Sequence, residues 1–309
     1  MNIFSPFVWI LDIFQWSPFD SNPVDCFFKG LIGACGVSVL CNLMRVYSFI
    51  QADGWTSSSF RNPLRRRWRA AVQFWFLTGV LSLVGCRVSS LIVLEFSLRA
   101  VSALTSTRQL LLIQSQFSLG CGLTCTLAFI HQGALHSSFG LLLAAALSWA
   151  FASYSCGLWR HVARLFPLHR TDGYCGKCIN LLTSGHTMMA SLQRVVILAF
   201  ATAAVASTAT VYEHFLSQKG AMKFWTPLTL CYTMLVAYNQ EEQHRLSITE
   251  ALLRTVVLRL GGLLVLMLAV GNWTDVLHIL VAFLGEGVCL LPSEDLLQAA
   301  LKVLPVFYC

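Results

Sequence analysis

The chain is 309 residues long, 56% hydrophobic and only 11% charged, with a formal net charge of +7. Soluble domains carry about a quarter charged residues, so this balance excludes an ordinary water-soluble domain and points to an all-α polytopic transmembrane bundle. Nor is the positive charge a nucleic-acid footprint, because Lys and Arg gather at the edges of apolar runs without aromatic interleaving.

Residues 1–18 are aromatic and apolar but too interrupted to span a bilayer, and read as an interfacial segment with Trp9 and Trp16 at headgroup depth. The stretch has no basic n-region and carries Asp12, with Asp20 and Asp25 just beyond, so a secretory signal is not expected. Three regions follow from this: an interfacial segment at 1–26, a helical bundle at 27–292 and a short tail at 293–309. The first span, about 27–49, has Lys29 and Arg45 near its ends, and Gly30, Gly33 and Gly36 at every third position, a face that another helix can approach closely. A polar loop then carries Arg61, Arg65, Arg66, Arg67 and Arg69 against the lone Asp53, which marks it as cytoplasmic. The same arginines are candidate contacts for anionic lipid headgroups.

From Ala70 to Thr105 the chain stays apolar, interrupted by Arg87, Glu95 and Arg99. One helix of that length would reach about 54 Å, against roughly 30 Å of hydrocarbon core. Splitting it at Gly85-Cys86-Arg87 gives two spans, about 70–84 and 88–105. Glu95 and Arg99 then lie one turn apart on one helix face, near the middle of the second span. A charged side chain there costs about 2.5 to 3.5 kcal/mol on insertion scales, so the two are expected to pair with each other and with a neighbouring helix. They form the candidate intramembrane site, either a structural ion pair or part of a pathway for an ion, a proton or an anionic substrate. Gln114 and Gln116 in the following span are candidate hydrogen-bond partners.

Residues 109–130 and 139–159 are free of Lys, Arg, Asp and Glu apart from their flanks and read as two spans joined by a turn near Gly133. Arg160, Arg164, Arg170, Lys177 and Arg194 then surround a second basic loop. It is cytoplasmic only if an even number of spans separates it from the first, and the split at Gly85 supplies that parity. Spans at 195–212 and 224–240 follow. A charged cytoplasmic stretch runs over 241–259, and a closing hairpin at 260–271 and 276–291 turns around Asn272. This gives nine spans, with eight as the alternative, the N-terminus outside and the C-terminus in the cytoplasm. Asn272-Trp273-Thr274 is a glycosylation sequon too close to the membrane to be expected in use.

The second candidate site is a thiol or metal loop at Cys175-Gly176-Lys177-Cys178, flanked by His169 and His186, with His161 farther off. Its spacing matches no standard zinc finger, and most of the 12 cysteines fall in apolar runs as small packing residues rather than as a disulfide framework. In the last hairpin, Asp275 and His278 are spaced to touch, with Asp275 read as a cap of the helix start. Signatures of the common membrane-enzyme chemistries are absent, and no cofactor is implied.

Several blocks, GLIGACGVSVL (30–40), VLEFSLRAVS (93–102), QFSLGCGLTC (116–125), YCGKC (174–178), MKFWTPLTLCYTMLV (222–236) and GGLLVLMLAVGNWTDVL (261–277), resemble the transmembrane protein 82 family. The resemblance implies a multi-pass membrane protein and carries no reaction, substrate or ligand across. Three functions stay open at this point. They are a transporter- or channel-like protein using Glu95 and Arg99, a non-catalytic packing or scaffold protein associating through glycine faces, and a membrane enzyme with a Cys/His site.

Overall fold

A computed structural model describes residues 22–51, 63–102, 108–131, 137–172, 175–215, 248–270 and 273–290, and among them every regular element is a helix. In order these are α1 (Pro23–Gln51), α2 (Pro63–Leu83), α3 (Gly85–Ser102), α4 (Arg108–Gln114), α5 (Gln116–Ile130), α6 (Ser137–Asp172), α7 (Gly176–Phe215), α8 (Ile248–Val270) and α9 (Trp273–Leu290). The protein is an all-helical membrane bundle. Its outside is apolar: Phe139, Trp149 and Phe151 on α6, Ile197 and Val205 on α7 and Val265 on α8 are exposed, while Glu95, Arg99, Arg259 and Glu286 are buried. That inversion is stable only where the surrounding solvent is lipid.

Among the described residues, four helical stretches are long and apolar enough to cross a membrane: Pro23–Ile50, Ser138–Arg164, Thr187–Tyr212 and Trp273–Leu290. The α2–α3 pair makes a fifth if it counts as one broken span, Trp68–Leu83 with Gly85–Val101, bent by 104°. The expected interruption at Gly85 is thus present, as a turn somewhat beyond a right angle rather than a full reversal. Glycine stands there for a reason, since its φ of 71° is a conformation that side chains with a Cβ rarely adopt. The stretch expected as a span at 109–130 is divided into α4 and α5, of which α5 is apolar but shorter than the four candidate spans. Ser115 between them keeps helical dihedrals (φ −77°, ψ −11°), and Leu119 N–H donates to its carbonyl across the break at 2.7 Å.

Several expected loops are helix instead. Pro63 starts α2, so Arg65, Arg66, Arg67 and Arg69 lie on its first turns. Proline suits that position, where its missing N–H would find no partner anyway. The second basic stretch is mostly the extended ends of α6 and α7, which run to Asp172 and restart at Gly176. Residues 248–259, expected as cytoplasmic loop, form the first half of α8. The interfacial segment 1–18, the tail 293–309, the span at 224–240, Arg61 and Asn272 lie outside the described residues.

Contacts give the helix directions. At one end of the bundle, Ile32 of α1 packs with Leu141 and Ala145 of α6, and Leu127 of α5 joins them. At the other, Val46 and Phe49 meet Val162 of α6 and Leu181 and Met188 of α7. So α1 and α6 run parallel, and α5 and α7 run against them. The glycine face of α1 is used inside the chain. A Cβ on Gly30 would collide with Ser82 and the Thr78 carbonyl of α2, one on Gly33 would lie 2.9 Å from the Gly120 carbonyl of α5, and one on Gly36 would collide with Leu123. This corrects the idea of a second copy docking there, because α2 and α5 already fill the face.

Gly30→Val is therefore expected to abolish most folded, monodisperse protein in size-exclusion chromatography of detergent extracts. Gly157→Ala, at a position facing open space, is expected to leave the yield unchanged and to stabilise by up to about 1 kcal/mol through helix propensity.

Candidate functional site

Glu95 and Arg99 point into the bundle from α3, and they do not stand alone. Glu95 lies ten residues beyond the Gly85 turn, about 15 Å along the helix. There Glu95 Oε1 is 3.5 Å from Arg99 Nε, and Glu95 Oε2 is 2.7 Å from Nε of Arg259 on α8. Arg259 Nη1 donates in turn to Glu286 Oε1 on α9 at 3.1 Å. Arg99 Nη1 donates to Gln114 Oε1 at 2.9 Å, and its guanidinium sits 5.1 Å from the centre of the Phe96 ring. Phe96 is itself stacked on Phe200 of α7, with ring centroids 4.7 Å apart.

The result is a chain of polar groups, Gln114–Arg99–Glu95–Arg259–Glu286, drawn from four helices. Two acids offset two bases, so no net charge is buried. That balance is what makes the arrangement affordable in an apolar interior, where removing one partner of a buried pair costs about 3–5 kcal/mol. The Arg259 side chain is the most enclosed, 1% exposed. Arg259 Nη2 and Glu286 Oε2 are buried without a hydrogen-bond partner among the described residues, so the network holds polar capacity beyond its own pairings.

Nearer the Gly85 turn, Arg87 Nη2 lies 3.3 Å from Asp275 Oδ2. Asp275 was expected as a cap of the last helix. It sits instead inside the first turn of α9, buried, where the helix dipole favours an acid and Arg87 pairs with it. The α8–α9 hairpin is thus tied to α3 by ion pairs at two depths. A third tie lies toward the opposite end, where Gln73 of α2 donates to the Val288 carbonyl at 2.9 Å. Between α3, α5 and α7, the sulfurs of Cys86 and Cys125 lie 3.7 Å apart, with Ser207 donating to Cys125 at 3.6 Å.

Of the expected site residues, Glu95 and Arg99 are brought together and Gln114 joins them. Gln116 accepts from the thiol of Cys41 instead, at 3.1 Å. Arg259 was missed because it follows a charged stretch and was read with it as loop, a reading that its burial overturns. Glu286, in the closing hairpin, has no partner that spacing alone would suggest. The signal was present: each is a single charge inside an apolar run, and the two lie about equally far from the turn at Asn272, which sets them at one depth of a hairpin. For the thiol site, Cys175 Sγ is 3.4 Å from His161 Nε2. The side chains of Cys178, His169 and His186 lie outside the described residues, and no cluster of three or more metal-ligating side chains occurs among the described ones.

The family model for transmembrane protein 82 matches residues 24–305. The chain belongs to that family. Membership makes it a transmembrane protein and assigns no reaction to the buried charges. No solved structure matches the chain.

Shortening the network at its centre is expected to be costly. Arg259→Met should lower thermal stability in detergent by about 3–5 kcal/mol, because two carboxylates lose their shared cation. Pairing that change with Glu286→Gln should recover part of the loss, and failure of any recovery would show that the two side chains are not coupled.

Proposed function

We propose that the protein is transporter- or channel-like, with the α8–α9 hairpin moving against α3 and Arg259 exchanging partners between Glu95 and Glu286. The shared guanidinium carries this reading: one buried cation contacts carboxylates from two different helices. Such a cation can release one carboxylate while keeping the other, so movement between α3 and α9 need not strand a buried charge. An anionic substrate group is the natural competitor for Glu95 at Arg99 and Arg259, since guanidinium binds carboxylate and phosphate through charge-assisted hydrogen bonds.

Nine crossings belong to the same proposal, with the N-terminus outside and the C-terminus in the cytoplasm. Support comes from the helix directions. Thr210, near the end of α7, lies beside Cys86 at the Gly85 end of the bundle. Ile248 begins α8 at the opposite end, because α8 and α9 run antiparallel and Asp275 meets Arg87. A return crossing between Phe215 and Ile248 satisfies both ends, and the positive-inside rule then assigns the Arg69 end to the cytoplasm. Contact of the α2 arginines with anionic lipid fits that orientation.

A non-catalytic packing protein is the second reading, favoured by the neutrality and enclosure of the network, which suit a lock as well as a gate. The membrane-enzyme reading has only the contact of Cys175 with His161 behind it.

Glu95→Gln separates gate from lock. In vesicles loaded with a panel of small organic anions, the gate predicts a fall of about tenfold or more in flux per folded molecule recovered. Lost abundance with unchanged flux per molecule supports the lock. Orientation is checked separately in intact cells with a membrane-impermeant thiol reagent. An Asn272→Cys variant should label from outside, whereas Cys175 should label only after permeabilisation; both labelling from outside rejects the topology.

A further inference from the structure

A cleft of about 420 Å³ opens between α6 and α7. Tyr154, Gly157, Leu158 and His161 line it from α6, and Lys177, Asn180, Leu181 and Ser184 from α7. Both sets repeat at i, i+3, i+4 and i+7, so each is one continuous helix face. The cleft is graded in polarity. Because α6 and α7 run antiparallel and Cys175 meets His161, Lys177 lies level with Leu158 and His161, whereas Tyr154, within the apolar stretch Ser138–Arg164, lies level with Leu181 and Ser184. Arg164 follows His161 by three residues, on the same side of α6 and exposed.

We propose that this cleft binds the phosphate headgroup of an anionic membrane lipid, with Lys177 and Arg164 as the cations and the Asn180 side-chain amide as a hydrogen-bond donor. A lipid rather than a soluble phosphate compound is the occupant because the apolar end of the cleft is continuous with the lipid-facing surface of α6, where Tyr154, Phe151 and Leu147 are exposed. An acyl chain can lie along Leu158 and Tyr154 while the headgroup reaches the polar end. Gly157 gives the cleft its depth. A Cβ built there meets nothing within 4 Å and Gly157 lines the cleft, so a larger side chain at this position would project into it. The site is separate from the Glu95 network and does not depend on the transport reading.

The test uses the full-length protein in nanodiscs of phosphatidylcholine containing a photoactivatable phosphatidylserine, with photoactivatable phosphatidylcholine as the comparison. Cross-linked peptides are mapped by mass spectrometry. The proposal expects cross-links within 154–161 and 177–184 from the serine lipid in clear excess over the choline lipid. Lys177→Glu should cut them about fivefold or more, the effect expected of a basic side chain facing an anionic headgroup. Gly157→Trp should abolish them while leaving chromatographic behaviour unchanged, which separates loss of the site from loss of the fold. Equal cross-linking by both lipids, or no effect of Gly157→Trp in folded protein, overturns the proposal. Suppression of the cross-link by millimolar inorganic phosphate also overturns it, in favour of a soluble phosphate ligand.

Discussion

One arginine holds the interior together. Arg259 enters the apolar core of the bundle from α8 and meets Glu95 from α3 and Glu286 from α9, at 2.7 and 3.1 Å. Each of those three groups would be prohibitive alone in hydrocarbon, and the fourth, Arg99, brings the sum back to neutrality. The requirement is strict about geometry, because the charges come from helices distant in sequence. The hairpin must therefore dock in one register against α3, and Arg87–Asp275 fixes the same register a second time, closer to the Gly85 turn.

Elsewhere the bundle is assembled by shape. In lipid there is little hydrophobic gain from bringing two helices together, so close approach and van der Waals contact decide the packing. The α1 glycines let α2 and α5 approach closely, and Gly285 of α9 has no room for a side chain against Phe117 and Val80. Small polar contacts supplement this, such as Asn42 donating to Ser155 between α1 and α6 at 3.2 Å. The molecule thus has two kinds of joint. The α1–α7 helices are packed largely by small residues and apolar clusters, and the α8–α9 hairpin is joined to them by those means and also by charge.

What the sequence revealed follows the same division. Glu95 and Arg99 were legible because four residues separate them inside an apolar run, and helix periodicity alone puts them side by side. The break at Gly85 was legible from length against bilayer thickness, although its 104° angle was not, since that depends on what packs against each arm. Arg259 was hidden by its neighbours: a base that follows Glu241, Arg245, Glu250 and Arg254 looks like loop until the helix is known to begin at Ile248. The partner of Cys175 was hidden for a related reason. His169 and His186 are closer in sequence, but His161 is reached only because α6 runs on to Asp172 before the chain reverses.

A buried ion pair with a single partner on each side resists motion, because separating it leaves both charges uncompensated. Sharing changes that. If α9 shifts along α3, Arg259 can lengthen its contact with Glu286 while retaining Glu95, and Arg99 stays held by Gln114 and Phe96 meanwhile. The intermediate arrangement then contains one weakened pair rather than two bare ions, and its cost falls well below the full penalty of a broken pair. The same sharing also suits a lock, since one cation between two acids ties α3, α8 and α9 together. On the transport reading proposed above, the shared Arg259 would let the hairpin hold a second arrangement, and an anion able to replace Glu95 at Arg259 would choose between the two by the difference in its affinity for each.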